Sequence, residues 1–191
     1  MTLIDDDLRG IALQMAADAR AYLTTVTEVA AGSSPDAALP LLLLAVSDVL
    51  GTGSRLGAIT DVVPSDRFEP DLGPDPDVDP LRDNLANALD GVDEYTDVVD
   101  PLLGDETEQL TVSGGLVSVA QALVQGLRHY EAGRVAEALW WWQFSYLSDW
   151  GTTASSVLRT LQEMLAHVRL DVEDDVAAEA EFEALQSVDL A

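Results

Sequence analysis

Apolar residues recur every three or four positions along four long stretches of the chain, which is the pattern of a helix with one buried face. The first two stretches cover residues 8–29 and 39–50. The third covers residues 116–130 and the last covers residues 157–168. No alternating apolar and polar run of strand length stands out. The pattern therefore predicts an all-α fold, a helical bundle of four or five main helices.

Glycine and proline residues predict where the first two helices begin and end. Gly32 follows the first apolar stripe, where a helix commonly stops. The run 34–36, Ser-Pro-Asp, has the cap residue and the proline that are typical of a helix start. Gly51 and Gly53 then predict the end of the second helix.

The middle and the end of the chain are acidic and weakly patterned. Prolines interrupt residues 60–80, which predicts an acidic proline-rich loop. Two shorter helices are predicted over residues 81–89 and 92–103. Residues 171–191 are predicted to form an acidic tail, weakly helical or disordered. The expected organisation is thus a helical bundle domain over residues 1–170 followed by this tail.

The segment from Arg134 to Trp150 is apolar on nearly every side, which is typical of a central helix or of one shared with a partner. Gly151 is predicted to end it. All four tryptophans of the chain lie in this segment, at positions 140, 141, 142 and 150. Consecutive helical residues point about 100° apart, so the three adjacent tryptophans cannot all face one core.

Two aromatic faces result on this predicted helix. One face carries Trp140, Phe144 and Leu147, and the other carries Trp142, Tyr146 and Trp150. We expect Trp140 to fill the core, and the remaining face to cover a neighbouring element, a pocket or a partner. The competing interpretation is that the aromatic residues only pack the bundle and form no binding site.

Aromatic residues with a polar atom suit the boundary between a core and a bound ligand or partner. The candidate binding residues around this helix are His129, Tyr130, Glu137, Trp141, Trp142, Gln143, Tyr146 and Trp150. No residue stands in a pattern that identifies a catalytic role.

Metal binding has only a weak candidate pair in the sequence. Glu163 and His167 lie four residues apart on one predicted helix face. Di-iron bundles instead repeat Glu-x-x-His twice, and spacing of four is also common for an ordinary surface pair. The chain has no cysteine, which excludes thiolate sites and disulfides. We therefore predict no metal and no cofactor.

The charge of the chain is strongly negative but unevenly distributed. Acidic residues number 35 against 9 basic ones, a net charge of -26, yet residues 111–170 carry four of each sign. Without a basic patch to contact phosphates, direct nucleic-acid binding is not expected. An acidic start and apolar runs far shorter than about 20 residues predict a cytoplasmic protein that does not enter a membrane. The acidic surface favours a basic protein partner, and a homodimer whose acidity serves only solubility is a further interpretation.

Two runs resemble a known family: residues 126–134, and residues 137–151 with the triple tryptophan. The family is the actinobacterial domain-of-unknown-function family numbered 5063. The resemblance extends to residues 34–50, 67–80 and 167–170, so it covers most of the chain outside the two ends. It implies an actinobacterial cytoplasmic protein and supplies no catalytic residues, since none are established for the family.

The sequence most favours a non-enzymatic protein-interaction module with an acidic surface. The alternative is a small-molecule or metal-dependent enzyme. Its pocket would lie beside the helix predicted over residues 134–150, which we call the tryptophan helix, near His129, Glu137, Gln143 and His167. The small number of titratable groups in the neutral segment argues against an enzyme.

Overall fold

The computed structural model describes residues 6–64, 76–100 and 102–188, with side chains up to residue 170. The fold is mostly helical and bundle-like, as the apolar periodicity predicts, with one added β-hairpin. The elements are α1 (Asp6–Ala30), α2 (Ala38–Ala58), α3 (Asp79–Ala88), β1 (Glu94–Val98), β2 (Thr107–Thr111), α4 (Val112–Glu131), α5 (Val135–Ser145), a π-helical turn (Tyr146–Trp150) and α6 (Gly151–Val188).

Helix α1 follows its predicted stripe closely. Met15, Tyr22 and Val26 are buried, and Gly32, with φ of +70°, closes the helix in the left-handed region. The Tyr22 hydroxyl donates a hydrogen bond of 2.8 Å to the Leu116 carbonyl, which ties α1 to α4. Burial raises the pKa of Tyr22, so this hydroxyl keeps its proton and remains a donor.

Helix α2 does not end at Gly51 and Gly53 as predicted but continues to Ala58. Gly53 and Gly57 instead allow a close contact with the π-helical turn. A Cβ atom on Gly53 would lie 2.4 Å from the Trp150 ring, and one on Gly57 would lie 2.7 Å from the Tyr146 ring. These glycines therefore make room for two aromatic rings inside a continuous helix.

Helix α2 together with the 3-10 turn before it, Pro35–Ala58, is long and apolar enough to cross a membrane by length and composition. The core helix of a soluble protein can meet the same criterion; here 39% of the apolar window is buried, and α2 packs against α1 and α6. Leu42, Val46 and Val49 are fully buried.

The prediction of a helix over residues 92–103 is wrong, because strand β1 lies there and pairs antiparallel with β2. Tyr95 faces Leu110 across the pair, and Asp97 faces Glu108. Tyr95 and Asp97 are partly buried while Glu94, Thr96 and Val98 are exposed, which is the period of two of a half-covered strand. An acidic residue at an inward position hides that alternation from a reading of hydrophobicity.

The predicted break at Gly151 is also absent. The φ and ψ of Gly151, −64° and −44°, are helical. Helix α5, the π-helical turn and α6 therefore form one continuous helical run from Val135 to Val188. A Cβ on Gly151 would lie 2.5 Å from the Tyr146 carbonyl oxygen, so the glycine fits the wider turn. The run passes residue 170 without a break in the backbone, and the division into a bundle and a tail stays a prediction.

Candidate functional site

The buried aromatic face of the tryptophan helix is that of Trp142 and Trp150. Both side chains are fully buried. The Trp142 ring lies against Gly126 of α4, where a Cβ atom would come within 2.0 Å of its Nε1. Trp142 Nε1 donates a 3.3 Å hydrogen bond to the Leu123 carbonyl. The glycine notch in α4 therefore decides which tryptophan enters the core.

The expectation that Trp140 fills the core is corrected, because Trp140 is only half-buried. Its ring stacks on Phe144 with centroids 5.5 Å apart and planes 11° apart. Phe144 is 53% exposed and Leu147 is 59% exposed. This face, with Val63 from the segment after α2, forms an apolar groove of about 350 Å³ that we call the α5 groove. The groove is lined by Asp61, Val62, Val63, Trp140, Gln143, Phe144, Leu147 and Ser148.

Gln143 holds one wall of the α5 groove in place. Its Oε1 accepts a 2.8 Å hydrogen bond from the Val62 backbone N–H. Its Nε2 donates to the carbonyls of Leu56 at 2.9 Å and Ile59 at 3.4 Å. The buried amide thus satisfies the end of α2 and fixes the chain that follows it, rather than standing free for a ligand.

The other predicted binding residues do not line this groove. His129 is buried within α4, and Glu137 is partly buried in the first turn of α5. Tyr130 lies 6.1 Å from Trp142 between ring centroids and carries the Arg20 guanidinium 5.7 Å from its own centroid. The Trp141 indole N–H donates to the Ala122 carbonyl at 3.0 Å.

The weak metal pair, Glu163 and His167, is exposed on α6. Among the residues that the structure describes, no three histidine or acidic side chains are grouped so that they could hold a metal ion. A binding role for the predicted residues stays a prediction, with only Gln143 placed at the groove.

A second concave region lies under the β-hairpin and was missed by the sequence analysis. It has a volume of about 290 Å³ and is enclosed by β1, β2, α4 and α6; we call it the hairpin pocket. Its polar lining includes Asp97 and Tyr95 from β1 and Ser156 from α6. The β-branched residues near Asp97 and the turn residues that follow were the available signal for a hairpin.

Asp97 anchors a polar network at the edge of the hairpin pocket. The Ser156 hydroxyl donates to its Oδ2, and Arg159 Nη2 lies 2.5 Å from its Oδ1. Ser156 Oγ is also 3.0 Å from the Tyr95 hydroxyl. Partial burial opposes ionisation of Asp97, but the bonds from Ser156 and the Val98 N–H, with the Arg159 charge, hold its pKa below the ordinary value. Partial burial raises the pKa of Tyr95.

The Asp97 network should make stability depend on pH in the acid range. A carboxyl whose pKa is depressed in the folded state stabilises the fold above its unfolded pKa, about 3.9, and this contribution is lost as pH falls through the folded-state pKa. We expect Asp97→Asn to destabilise the protein at pH 6 and the difference from wild type to shrink below about pH 4. Urea unfolding of both proteins at a series of pH values measures this difference in the free energy of unfolding. A difference that stays constant down to pH 2 would contradict the assigned role of the charge.

Similarity to known domains identifies the family of this chain. The model of a family described as "Domain of unknown function (DUF5063)" matches residues 6–167. The chain belongs to this family. None of the curated proteins matches this DUF5063 chain. A solved structure, protein BF1032 from Bacteroides fragilis, is similar in fold with a TM-score of 0.64 and 15% identity, covering 80% of this chain and 90% of that one. At that identity the likeness concerns the fold alone.

Proposed function

We propose that this DUF5063 protein is a non-enzymatic, cytoplasmic protein-interaction module that binds a basic, amphipathic segment of a partner in the α5 groove. The observation that carries the proposal is the exposed apolar surface of Phe144, Leu147 and Val63, which are 53%, 59% and 72% exposed, in a chain of net charge -26. A contiguous apolar patch rimmed by polar residues is typical of an interaction site.

The groove has the construction expected of a preformed binding surface. Trp140 and Phe144 stack on each other, and Gln143 fixes the opposing wall through three backbone hydrogen bonds. Ordering side chains on binding costs free energy, so walls that are already ordered leave more of the interaction energy for affinity. Aromatic residues also supply most hot spots in protein interfaces.

Charge favours a basic partner over a second copy of the chain. Asp61 lies in the groove lining, and Asp149 is exposed one residue beyond Ser148 at its end. Two copies that each carry a net charge of -26 repel one another, whereas a lysine- or arginine-rich segment is attracted. An amphipathic helix with leucines on one face and basic residues on the other meets both requirements.

The alternative, a small-molecule or metal-dependent enzyme with its pocket beside the tryptophan helix, has weaker support. His129, Glu137 and His167 lie outside the groove lining, and the Gln143 amide is already bonded to the backbone. The α5 groove is therefore better suited to apolar contact than to acid–base chemistry.

Binding of a synthetic leucine–lysine amphipathic helix tests the proposal. We expect fluorescence anisotropy to show saturable binding that weakens as salt rises from 0.01 to 0.1 M, and no binding of a matched leucine–glutamate helix. Phe144→Ala should weaken binding roughly tenfold, a loss of about 1.4 kcal/mol. The matched control is Leu13→Ala, because Leu13 is 63% exposed on α1 and outside the groove.

Three results would overturn the proposal. The first is equal binding by Phe144→Ala and Leu13→Ala, which would mean that charge alone holds the peptide. The second is equal binding of the glutamate helix. The third is sedimentation that shows a dimer abolished by Phe144→Ala, which would make a second copy the occupant.

A further inference from the structure

We infer that the hairpin pocket is a binding site for a small organic cation, a primary amine on a short aliphatic chain with a polar far end. This inference is independent of the proposed function, because the hairpin pocket and the α5 groove share no lining residue. Its basis is a cavity between three parts of the fold with complementary groups on its walls.

The pocket is close in size to a small-molecule site. Its volume of about 290 Å³ lies just below the usual range for ligand pockets, roughly 300–1,000 Å³. The hairpin forms one side, the start of α4 forms a second and the start of α6 forms a third. Gly114 and Gly115 at the start of α4 also belong to the lining.

Negative charge on the hairpin wall selects the charge of the ligand. Asp97 and Glu108 are directly opposite in the antiparallel register, and both line the pocket. Like charges at opposite positions destabilise a strand pair, so the arrangement needs compensation. Arg159 compensates Asp97, but Glu108 makes no ion pair within the described part of the chain. An ammonium group between the two carboxylates would supply the missing positive charge.

The remaining walls define the rest of the ligand. Val99 and Leu110 provide apolar surface for a short aliphatic chain. Ser118, Thr152 and Thr153 also line the pocket, and their hydroxyls make no hydrogen bond to any described residue. Open hydroxyls can donate to or accept from a polar ligand end.

An organic cation fits these groups better than a metal ion does. No third acidic or histidine side chain joins Asp97 and Glu108 in a metal-binding group within the described residues. Oxygen-bound metals such as calcium need six or more oxygen ligands, and waters would have to supply most of them. An ammonium group is satisfied by the two carboxylates and one further acceptor.

A matched set of three probes tests the charge requirement. They are 4-aminobutanol, 1,4-butanediol and 4-hydroxybutyrate, which have similar length and differ in charge. We expect a titration with 4-aminobutanol to shift the backbone amide signals of Gly114 and Gly115 in ¹H–¹⁵N NMR spectra, and the shift to saturate. The diol should bind at least tenfold more weakly and the carboxylate should give no saturable shift.

Variants test whether the two carboxylates are responsible. Glu108→Gln, which removes no described hydrogen bond or ion pair, should weaken binding of 4-aminobutanol at least fivefold. Asp97→Asn should do the same. The matched control is Glu94→Gln, which removes an equal charge from an exposed residue outside the pocket lining on the same strand and should change affinity less than twofold.

The inference fails if 4-aminobutanol gives no saturable shift, or if the diol binds as tightly as the amine. It also fails if Glu94→Gln weakens binding as much as Glu108→Gln, since general attraction to an acidic protein would then explain the shifts. If Asp97→Asn loosens the hairpin, the result for Glu108→Gln alone decides the test, because that variant removes no described hydrogen bond or ion pair.

Discussion

Replacing Trp142 with alanine is expected to destabilise the protein by about 3–5 kcal/mol, as is usual for a buried aromatic residue. The ring is fully buried against Gly126, with Tyr130 packed beside it, so its removal leaves a cavity that α4 and α5 cannot easily close. The hydrogen bond from Trp142 Nε1 to the Leu123 carbonyl is also lost. Reversible urea unfolding, followed by far-ultraviolet circular dichroism, measures the change.

Trp140→Ala is the matched control for this prediction. It removes the same side chain two residues earlier, but from a half-buried position on the α5 groove. A partly exposed ring leaves less of a cavity, so we expect the loss to be at most half as large. Equal losses for the two variants would contradict the assignment of Trp142 to the core.

The second large effect is expected from Gly126→Ala. The added methyl group would lie 2.0 Å from Trp142 Nε1, far inside van der Waals contact, and a rigid indole ring cannot turn aside as a flexible chain can. Overpacking of this kind costs about 1–3 kcal/mol, which outweighs the gain of up to about 1 kcal/mol from better helix propensity. Thermal and urea unfolding should both show a less stable protein.

Gly10→Ala separates packing from helix propensity. Gly10 is exposed within α1 and has no atom within 4 Å of an added Cβ, so this variant should be more stable than wild type. A double variant, Gly126→Ala with Trp142→Phe, should lose less than the sum of the two single changes, because the smaller ring makes room for the methyl group. Strict additivity would show that Gly126 and Trp142 do not share one contact.

Much of the helical framework can be read from the sequence. The stripes of α1, α4 and the first part of α6 are visible because each helix buries one face, and this gives a period near 3.6. The end of α1 at Gly32 is likewise local, since only the backbone conformation of one turn is involved.

Other helix boundaries depend on packing contacts that a glycine in the sequence does not reveal. Gly53 and Gly151 look like helix ends in the sequence, yet both lie inside helices because they face Tyr146 or Trp150. A glycine that ends a helix and one that admits an aromatic ring are the same residue type. Which role applies is decided by a partner almost 100 positions away for Gly53.

The candidate sites show the same division. The sequence places four tryptophans in one helix, and helical geometry alone requires two aromatic faces. It cannot tell which face is buried, because that depends on the notch at Gly126 in the neighbouring helix. The predicted choice of Trp140 for the core was wrong for this reason.

The hairpin pocket depends on tertiary structure most of all. Asp97 reads as one of many acidic residues until β1 turns it toward Ser156 and Arg159, which are about 60 positions later in the chain. The sequence by itself determined the helical class, the neutral aromatic segment and the acidic charge, because these follow from composition and local periodicity. Only the tertiary structure decided which aromatic face is exposed and which carboxylates share a pocket, since those depend on residues brought together from different helices and strands.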